Sequence, residues 1–215
     1  MYSKKNRCVI VGGADIKNYE YITAQLRDGD YMVYCDSGLR HLPALGVDPD
    51  LIVGDFDSHI NPRLDVETIV LPCEKDDTDT FFAAKECISR GFRDFWLIGV
   101  AGGRIDHTLA NLSILLHLDS LGCRGVITDD YSCMEIVSRS PVRIGGEHPY
   151  FSLLNISGQA EGITVTGAKY SLTDGCIKPE YQYGVSNEVL HGQTAEVSLK
   201  RGKLLLVRIL PGCRC

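Results

Sequence analysis

A doubly wound, mostly parallel α/β domain followed by an all-β sandwich is the architecture this sequence predicts. Three observations carry that expectation. Over roughly the first 140 residues, short continuous apolar runs alternate with stretches of helical period. After about residue 140 the long helical period disappears, and "SPVRIGGEHP" forms a turn-rich joint. Beyond the joint, the apolar runs are strand-like and separated by turn residues. The expected domains are therefore residues 1–140 and 141–215.

The strands of the first domain are expected in "RCVIVGG" (7–13), "YMVYCDSG" (31–38), "LIVGDFDS" (51–58), "TIVLP" (68–72), "DFWLIGV" (94–100) and "RGVITDD" (124–130). Apolar runs without alternation suit strands covered on both faces, as in a parallel sheet. Two helices are expected between them. Phe81, Ala84 and Ile88 repeat at helical spacing within 77–90, and Ile105, Leu109, Leu112 and Leu116 do so through 106–120. In the second domain, "YFSLLNIS", "GITVTGAKYSL" and "TAEVSLKRGKLLLVRIL" read as strands. The last is broken by Lys200, Arg201, Gly202 and Lys203, which predict a hairpin turn.

Composition narrows the function. With 215 residues, 44% hydrophobic and 23% charged, the chain can bury a full core and hold one large domain or two small ones. A net charge of −6 with 22 scattered basic residues argues against a protein held to nucleic acid by phosphate contacts. No run approaches the length of a membrane span, and "MYSKKNRCVIVGG" has no apolar signal core before its first strand, so a cytoplasmic protein is expected. Nine scattered cysteines without a CxxC favour reduced thiols over a disulfide framework or a zinc site.

The acids carry the chemistry. Ligands of open α/β sheets bind outside the carboxyl ends of the strands. Asp36, Asp55, Asp57, Asp129 and Asp130 all fall at such ends. Were the chain extended through "GDFDS", Asp55 and Asp57 would point to one side about 6.6 Å apart. They would repel by about 2.5 kcal/mol at an effective dielectric of 20. A hard divalent cation relieves that repulsion, and Mg²⁺ characteristically binds through one or two carboxylates plus substrate phosphates. The alternative is that both aspartates simply close a turn. In "EKDDTDTFFAAK", Asp76, Asp77 and Asp79 precede or open a helix, where acids are also favoured by capping and the helix dipole. Their loop opens at the same carboxyl edge.

Two glycine pairs add to this picture. In "VAGGRIDHTLAN" (100–111), Gly102 and Gly103 let backbone approach a ligand, and Arg104 is able to clamp a phosphate bidentately. Asp106 is a candidate N-cap and His107 a structural hydrogen-bonder. "VGGAD" (11–15) is similar to a strand-to-helix phosphate turn at Gly13. Neither GxGxxG nor GxxxxGK[ST] is present.

Taken together, "GGAD", "CDSGLRHLPALGVDPDLIVGDFDS", "KDDTDT", "GVAGGRIDHTLAN" and "GVSNEV" (184–189) resemble thiamine pyrophosphokinases, in family order over nearly the whole chain. The resemblance implies transfer of a pyrophosphoryl group from Mg-ATP to the hydroxyl of thiamine, with release of AMP. It further implies a homodimer whose active sites are shared between subunits. Carried over by motif, Asp55, Asp57 and Asp79, with Asp76 or Asp77, hold Mg²⁺ and the triphosphate. Asp36, Ser37, Thr78, Arg104, Asp106 and His107 line the nucleotide region beside Gly13, and Ser186 and Asn187 meet thiamine. An aspartate takes the hydroxyl proton, the choice among them staying open. Phe81 stands where many bacterial relatives carry an acid. Some relatives stack thiamine on a second-domain tryptophan, whereas the single tryptophan here, Trp96, lies in a first-domain strand, leaving Tyr181 and Tyr183 as stacking candidates. Two rivals are an aspartate-nucleophile phosphatase, suggested by "DFDS", and a non-catalytic nucleotide or vitamin sensor.

Overall fold

The computed structural model describes residues 6–56, 64–74 and 76–213. It divides into two compact units, Met1–Asp130 and Tyr131–Cys215. The division falls ten residues before the change in sequence texture, because β7 (Ser132–Val137) pairs with β14 (Leu204–Ile209) of the C-terminal unit.

In the N-terminal unit, β1 (Arg7–Val11), β2 (Asp30–Cys35), β3 (Leu51–Gly54), β4 (Thr68–Val70), β5 (Asp94–Ile98) and β6 (Arg124–Thr128) form parallel pairs in the order β4-β3-β2-β1-β5-β6. All six lie where the apolar runs predict them. β1, β2 and β3 are buried at every position, as double coverage requires. The chain winds outward from β1 to β4, then returns to place β5 on the other side of β1. The winding therefore reverses between β1 and β5.

Among the described residues, this unit has four helices: α1 (Tyr19–Thr23), α2 (Leu42–Leu45), α3 (Asp79–Ser89) and α4 (Ile105–Ser120). A 3₁₀ turn, Asp36–His41, leads from β2 into α2. Helix α4 forms where the spacing of Ile105, Leu109, Leu112 and Leu116 predicts it. Its buried stripe is Asn111, Ile114, Leu115 and Leu118, whereas Ile105 and Leu109 are 69% and 59% exposed. Apolar residues recur at helical spacing on two sides of this helix, and periodicity alone cannot choose the side that meets the sheet.

At the amino end of β1, Arg7 donates from Nε and Nη2 to the two carboxylate oxygens of Asp30, and from Nη2 to Gln25 O. Its guanidinium also stacks 4.7 Å from the centre of the Trp96 ring. The Trp96 indole N–H donates to Thr128 Oγ1 at 2.9 Å, so a mid-sheet tryptophan leaves no buried donor unsatisfied.

The C-terminal unit stacks two antiparallel sheets. One runs β7-β14-β9, with β9 at Phe151–Leu154. The other runs β11-β10-β12-β8, made from β8 (Val142–Ile144), β10 (Ala160–Thr166), β11 (Leu172–Cys176) and β12 (Ala195–Ser198), with the short β13 (Arg201–Gly202) pairing β10. Phe151, Leu153, Leu204 and Leu206 of the first sheet share a core with Ile144, Ile163, Val165 and Val197 of the second. The expected hairpin at 200–203 does not form: β12 and β14 belong to opposite sheets, and the segment carries the chain from one layer to the other. Gly202, at φ +91, makes the corner, where an added Cβ would lie 1.7 Å from Gln159 O. No helix among the described residues is long and apolar enough to cross a membrane.

Candidate active site

A cleft of about 570 Å³ opens in the N-terminal unit where the winding reverses, the position at which doubly wound sheets bind ligands. It is lined from the ends of the strands: Gly12 to Asp15 after β1, Asp36, Ser37 and Arg40 after β2, and Asp55 after β3. The first turn of α3 adds Thr78, Asp79 and Thr80, and the segment after β5 adds Gly102, Gly103, Arg104 and His107.

The floor is packed too closely for side chains. Gly12 N donates to Ile98 O and Ala14 N to Gly99 O, so the loops after β1 and β5 are stitched across the reversal point. A Cβ on Gly12 would sit 2.6 Å from Gly99 O, and one on Gly13 only 1.9 Å from Ser37 Oγ. Gly12 is thus required by close approach of backbone, and Gly13 by the Ser37 side chain packed against it.

Asp36, Asp55 and Asp79 each bring a carboxylate oxygen to within 4.8 Å of the others. Asp36 is 5% exposed, and its Oδ1 is buried without a hydrogen-bond partner. Its backbone sits at φ +37, a left-handed conformation that costs on the order of 1 kcal/mol outside glycine and concentrates at functional sites. Gly54 makes the room, since a Cβ there would lie 3.0 Å from Asp36 Cβ. Each pair of unit charges at 4.8 Å repels by about 3.5 kcal/mol at an effective dielectric of 20. A hard cation fits this donor set: all oxygen, anionic, and with one buried acceptor open.

Helix α3 begins with Asp79, and Thr78 caps it by accepting from Phe81 N at 3.2 Å. The Cys35 thiol reaches Asp79 O at 3.8 Å, tying the end of β2 to the start of α3. Burial pushes that thiol well above its ordinary range, so it stays protonated and unreactive. On the opposite wall, Asn111 donates to Val100 O at 2.7 Å, and Thr108 Oγ1 accepts from Gly102 N at 3.0 Å; together they fix the glycine loop before α4.

Most predicted residues come together here. Gly13, Asp36, Ser37, Asp55, Thr78, Asp79, Arg104 and His107 all line the cleft. Asp76 and Asp77 do not: Asp76 is exposed, and Asp77 pairs with Lys85. Asp106 is exposed and pairs with Arg104, whose hydrogen bond holds its carboxyl down at about 2, leaving it a weak proton acceptor while the pair lasts. Asp57 lies outside the described residues. β3 ends at Gly54 and Phe56 sits at φ +57, so the chain is not extended through Phe56.

Ser186 and Asn187 belong to the C-terminal unit. Ser186 is exposed at φ +56 and its N–H donates to Ser152 Oγ. Asn187 is buried, with Oδ1 accepting from Tyr170 N and Glu188 N and Nδ2 donating to Tyr170 O. Beside them Tyr181 and Tyr183 stand 68% and 46% exposed, their rings 5.6 Å apart.

Sequence reasoning missed Asn111, Arg40 and His41. Arg40 donates to Asp15 at 2.5 Å at the cleft wall. Both Arg40 and His41 lie inside "CDSGLRHL", directly after Asp36, where a strand end already known to reach the cleft was the available signal.

Fold and cleft define a class: a doubly wound α/β protein with an acidic, glycine-floored site at the carboxyl edge of its sheet, joined to a β-sandwich. The thiamin pyrophosphokinase catalytic domain matches residues 23–127, and the vitamin B1 binding domain of the same enzymes matches 135–204. The chain belongs to the thiamin pyrophosphokinase family. It is 25% identical over 207 residues to thiamine pyrophosphokinase of Bacillus subtilis, covering 93% of this chain and 96% of that protein. The crystal structure of thiamin pyrophosphokinase from Geobacillus thermodenitrificans superposes with a TM-score of 0.81 at 25% identity, over 96% of this chain and 98% of that one. The yeast thiamin pyrophosphokinase structure shares the fold at a TM-score of 0.75 and 14% identity, over 97% and 87% of the two chains. Members of this family are enzymes of pyrophosphoryl transfer to thiamine, and the chain is one of them.

Proposed function

We propose that the donor is Mg-ATP, that the hydroxyl of thiamine attacks its β-phosphorus, and that AMP leaves. The convergence of Asp36, Asp55 and Asp79 at the reversal point carries this reading. Three carboxylates would repel a bare triphosphate, so a polyphosphate donor requires a cation beside them. Asp36, Asp55 and Asp79, with Asp57 as a further candidate, would hold it. Bound magnesium supplies charge neutralisation and alignment of phosphate oxygens.

The chain's own groups do the positioning that phosphoryl-type transfer asks of a protein. Gly12 and Gly13 let backbone approach the phosphates, and the Ser37 hydroxyl stands beside them as a donor. Arg104 is available to exchange its exposed Asp106 partner for a phosphate, a gain in hydrogen-bond strength because the guanidinium fork matches phosphate oxygens. Thiamine would meet the face of the C-terminal unit that carries Ser186, with Tyr181 and Tyr183 offering aromatic surface to its cationic thiazolium. The polar atoms of Asn187 are committed to Tyr170 and Glu188, so its part is to shape that face.

A homodimer with shared sites and a cytoplasmic location complete the reading. Ile105 and Leu109, exposed on the helix that begins at the cleft, support a protein partner there. Cys8, Cys35, Cys87, Cys123 and Cys133, buried and free, support a reducing compartment.

Product analysis after incubation with thiamine, ATP and Mg²⁺ tests the chemistry. Thiamine diphosphate and AMP are expected; thiamine monophosphate and ADP would overturn the β-attack. Sedimentation and mixing of two separately inactive variants, one in each unit, test the shared site. Recovery of activity on mixing is expected, and its absence in a stable dimer counts against sharing.

A further inference from the structure

The walls of the cleft are held in register by a side chain that does not enter it. His41 ends the 3₁₀ turn that supplies Asp36, Ser37 and Arg40, and it is 2% exposed. Its Nε2 lies 2.9 Å from Ala14 O, in the loop that supplies Gly12 to Asp15. Its Nδ1 lies 2.7 Å from Tyr19 Oη, on α1 just beyond that loop. A carbonyl oxygen only accepts, so Nε2 carries the proton, Nδ1 accepts, and the Tyr19 hydroxyl donates. Arg40 Nε approaches the same Nε2 at 3.4 Å, and the shorter contact to Ala14 decides the tautomer. The loop is secured at its far end too, where Lys17 N and Asn18 N donate to Asp130 Oδ1 at 2.8 and 2.9 Å.

We propose that neutral His41 is a positioning residue for the donor nucleotide: it clamps the loop after β1 to the turn after β2, so that Gly13, Ser37, Asp15 and Arg40 present one fixed surface. This rests on the reading of the cleft as a nucleotide site. A doubly protonated ring has no acceptor, so the Tyr19 hydroxyl would lose its partner and face a second donor. The titratable and charged groups around the ring, among the described residues, are Tyr19, Arg40 and Asp15, with Lys17 lining the same hollow. Burial is the largest influence and lowers the histidine's pKa; Arg40 lowers it further, against the raising effects of Ala14 O and Asp15. The neutral form is accordingly the working one at neutral pH.

Three variants test this: His41→Phe, which keeps ring volume without donor or acceptor; His41→Gln, which restores a donor toward Ala14 O; and Tyr19→Phe, which deletes one hydroxyl. For His41→Phe, the KM for ATP is expected to rise about tenfold with kcat within about threefold, the worth of one or two hydrogen bonds. His41→Gln recovers most of the loss, and Tyr19→Phe shifts KM in the same direction by a smaller factor. In the wild type, KM for ATP climbs only as pH falls through the lowered pKa of His41, below the ordinary histidine range, and this limb is missing in His41→Gln. Without any nucleotide, amide exchange at Ala14 to Asn18 quickens in His41→Phe and returns toward wild-type rates in His41→Gln. Equal exchange and equal KM in the Phe and Gln variants, or an unchanged acid limb in His41→Gln, would overturn the proposal. Loss of ATP turnover in the wild type itself would instead strike the reading of the cleft, with the exchange arm still deciding the clamp.

Discussion

Arg7 and Asp30 meet across β1 and β2 with Nη2 and Oδ2 2.6 Å apart and their side chains only 10% and 2% exposed. Removing one partner of such a pair leaves a buried charge uncompensated, whereas replacing both with apolar groups is often neutral. Asp30→Leu alone is therefore expected to cost about 3–5 kcal/mol of unfolding free energy in urea titration. The double variant Arg7→Met/Asp30→Leu should recover most of that loss. A double variant as unstable as the single one would show that the charges themselves hold this end of the sheet.

The acidic trio is expected to trade stability for activity. Asp55→Asn relieves two of three repulsions, so the metal-free protein should melt higher, by on the order of 1 kcal/mol after solvent screening. Turnover should fall roughly 10²–10³-fold, the scale for losing one electrostatic contact to reacting charge. Thermal melts with and without Mg²⁺ check this, because binding to the native state alone raises the melting temperature and the variant should have lost most of that rise. A metal-free melt below that of the wild type would count against mutual repulsion.

Gly13 faces Ser37 so closely that a methyl group at 13 would fall 1.9 Å from the hydroxyl. Gly13→Ala should lower kcat/KM for the donor by at least about tenfold through a displaced loop, since misplacement near 1 Å costs up to about 10². Gly13→Ala/Ser37→Gly, which removes the colliding atom, should regain part of it. Steady-state kinetics of both variants separate collision from loss of the hydroxyl.

On the C-terminal unit, truncating Tyr181 or Tyr183 to Ala should raise KM for thiamine about threefold to thirtyfold, the range for losing a cation–π contact. KM for the donor should stay within about twofold, well under 1 kcal/mol. Tyr183 also donates to Cys176 O at 2.6 Å, so Tyr183→Phe isolates the ring from the hydroxyl. Unchanged thiamine kinetics in both alanine variants would remove the aromatic pair from the substrate face.

The strands of the N-terminal unit were legible because burial on both faces writes an unbroken apolar run, as in "CVIV" and "YMVYC". Asp36 and Asp55 were legible as polar residues where such runs stop. Their meeting with Asp79 was less so, since it depends on the 3₁₀ turn, the room made by Gly54 and the capping of α3 by Thr78. Asp76 and Asp77 carry the same local signal as Asp79, and only the start of α3 separates them. The register of α4 was illegible because two apolar stripes compete. The partners of His41 lie 22 and 27 positions away, with no periodic pattern joining them. The layer change at 200–203 hid behind turn residues that serve a corner as well as a hairpin.

Trp96 is the chain's single tryptophan, and it lies in the N-terminal sheet with its indole N–H on Thr128. Intrinsic indole fluorescence is therefore a private optical reporter of one half of the molecule. Denaturation followed at that wavelength describes the half bearing the acidic trio and is blind to the sandwich, while far-ultraviolet dichroism registers both. Divergence between the two curves would measure directly whether the halves come apart as a single cooperative body.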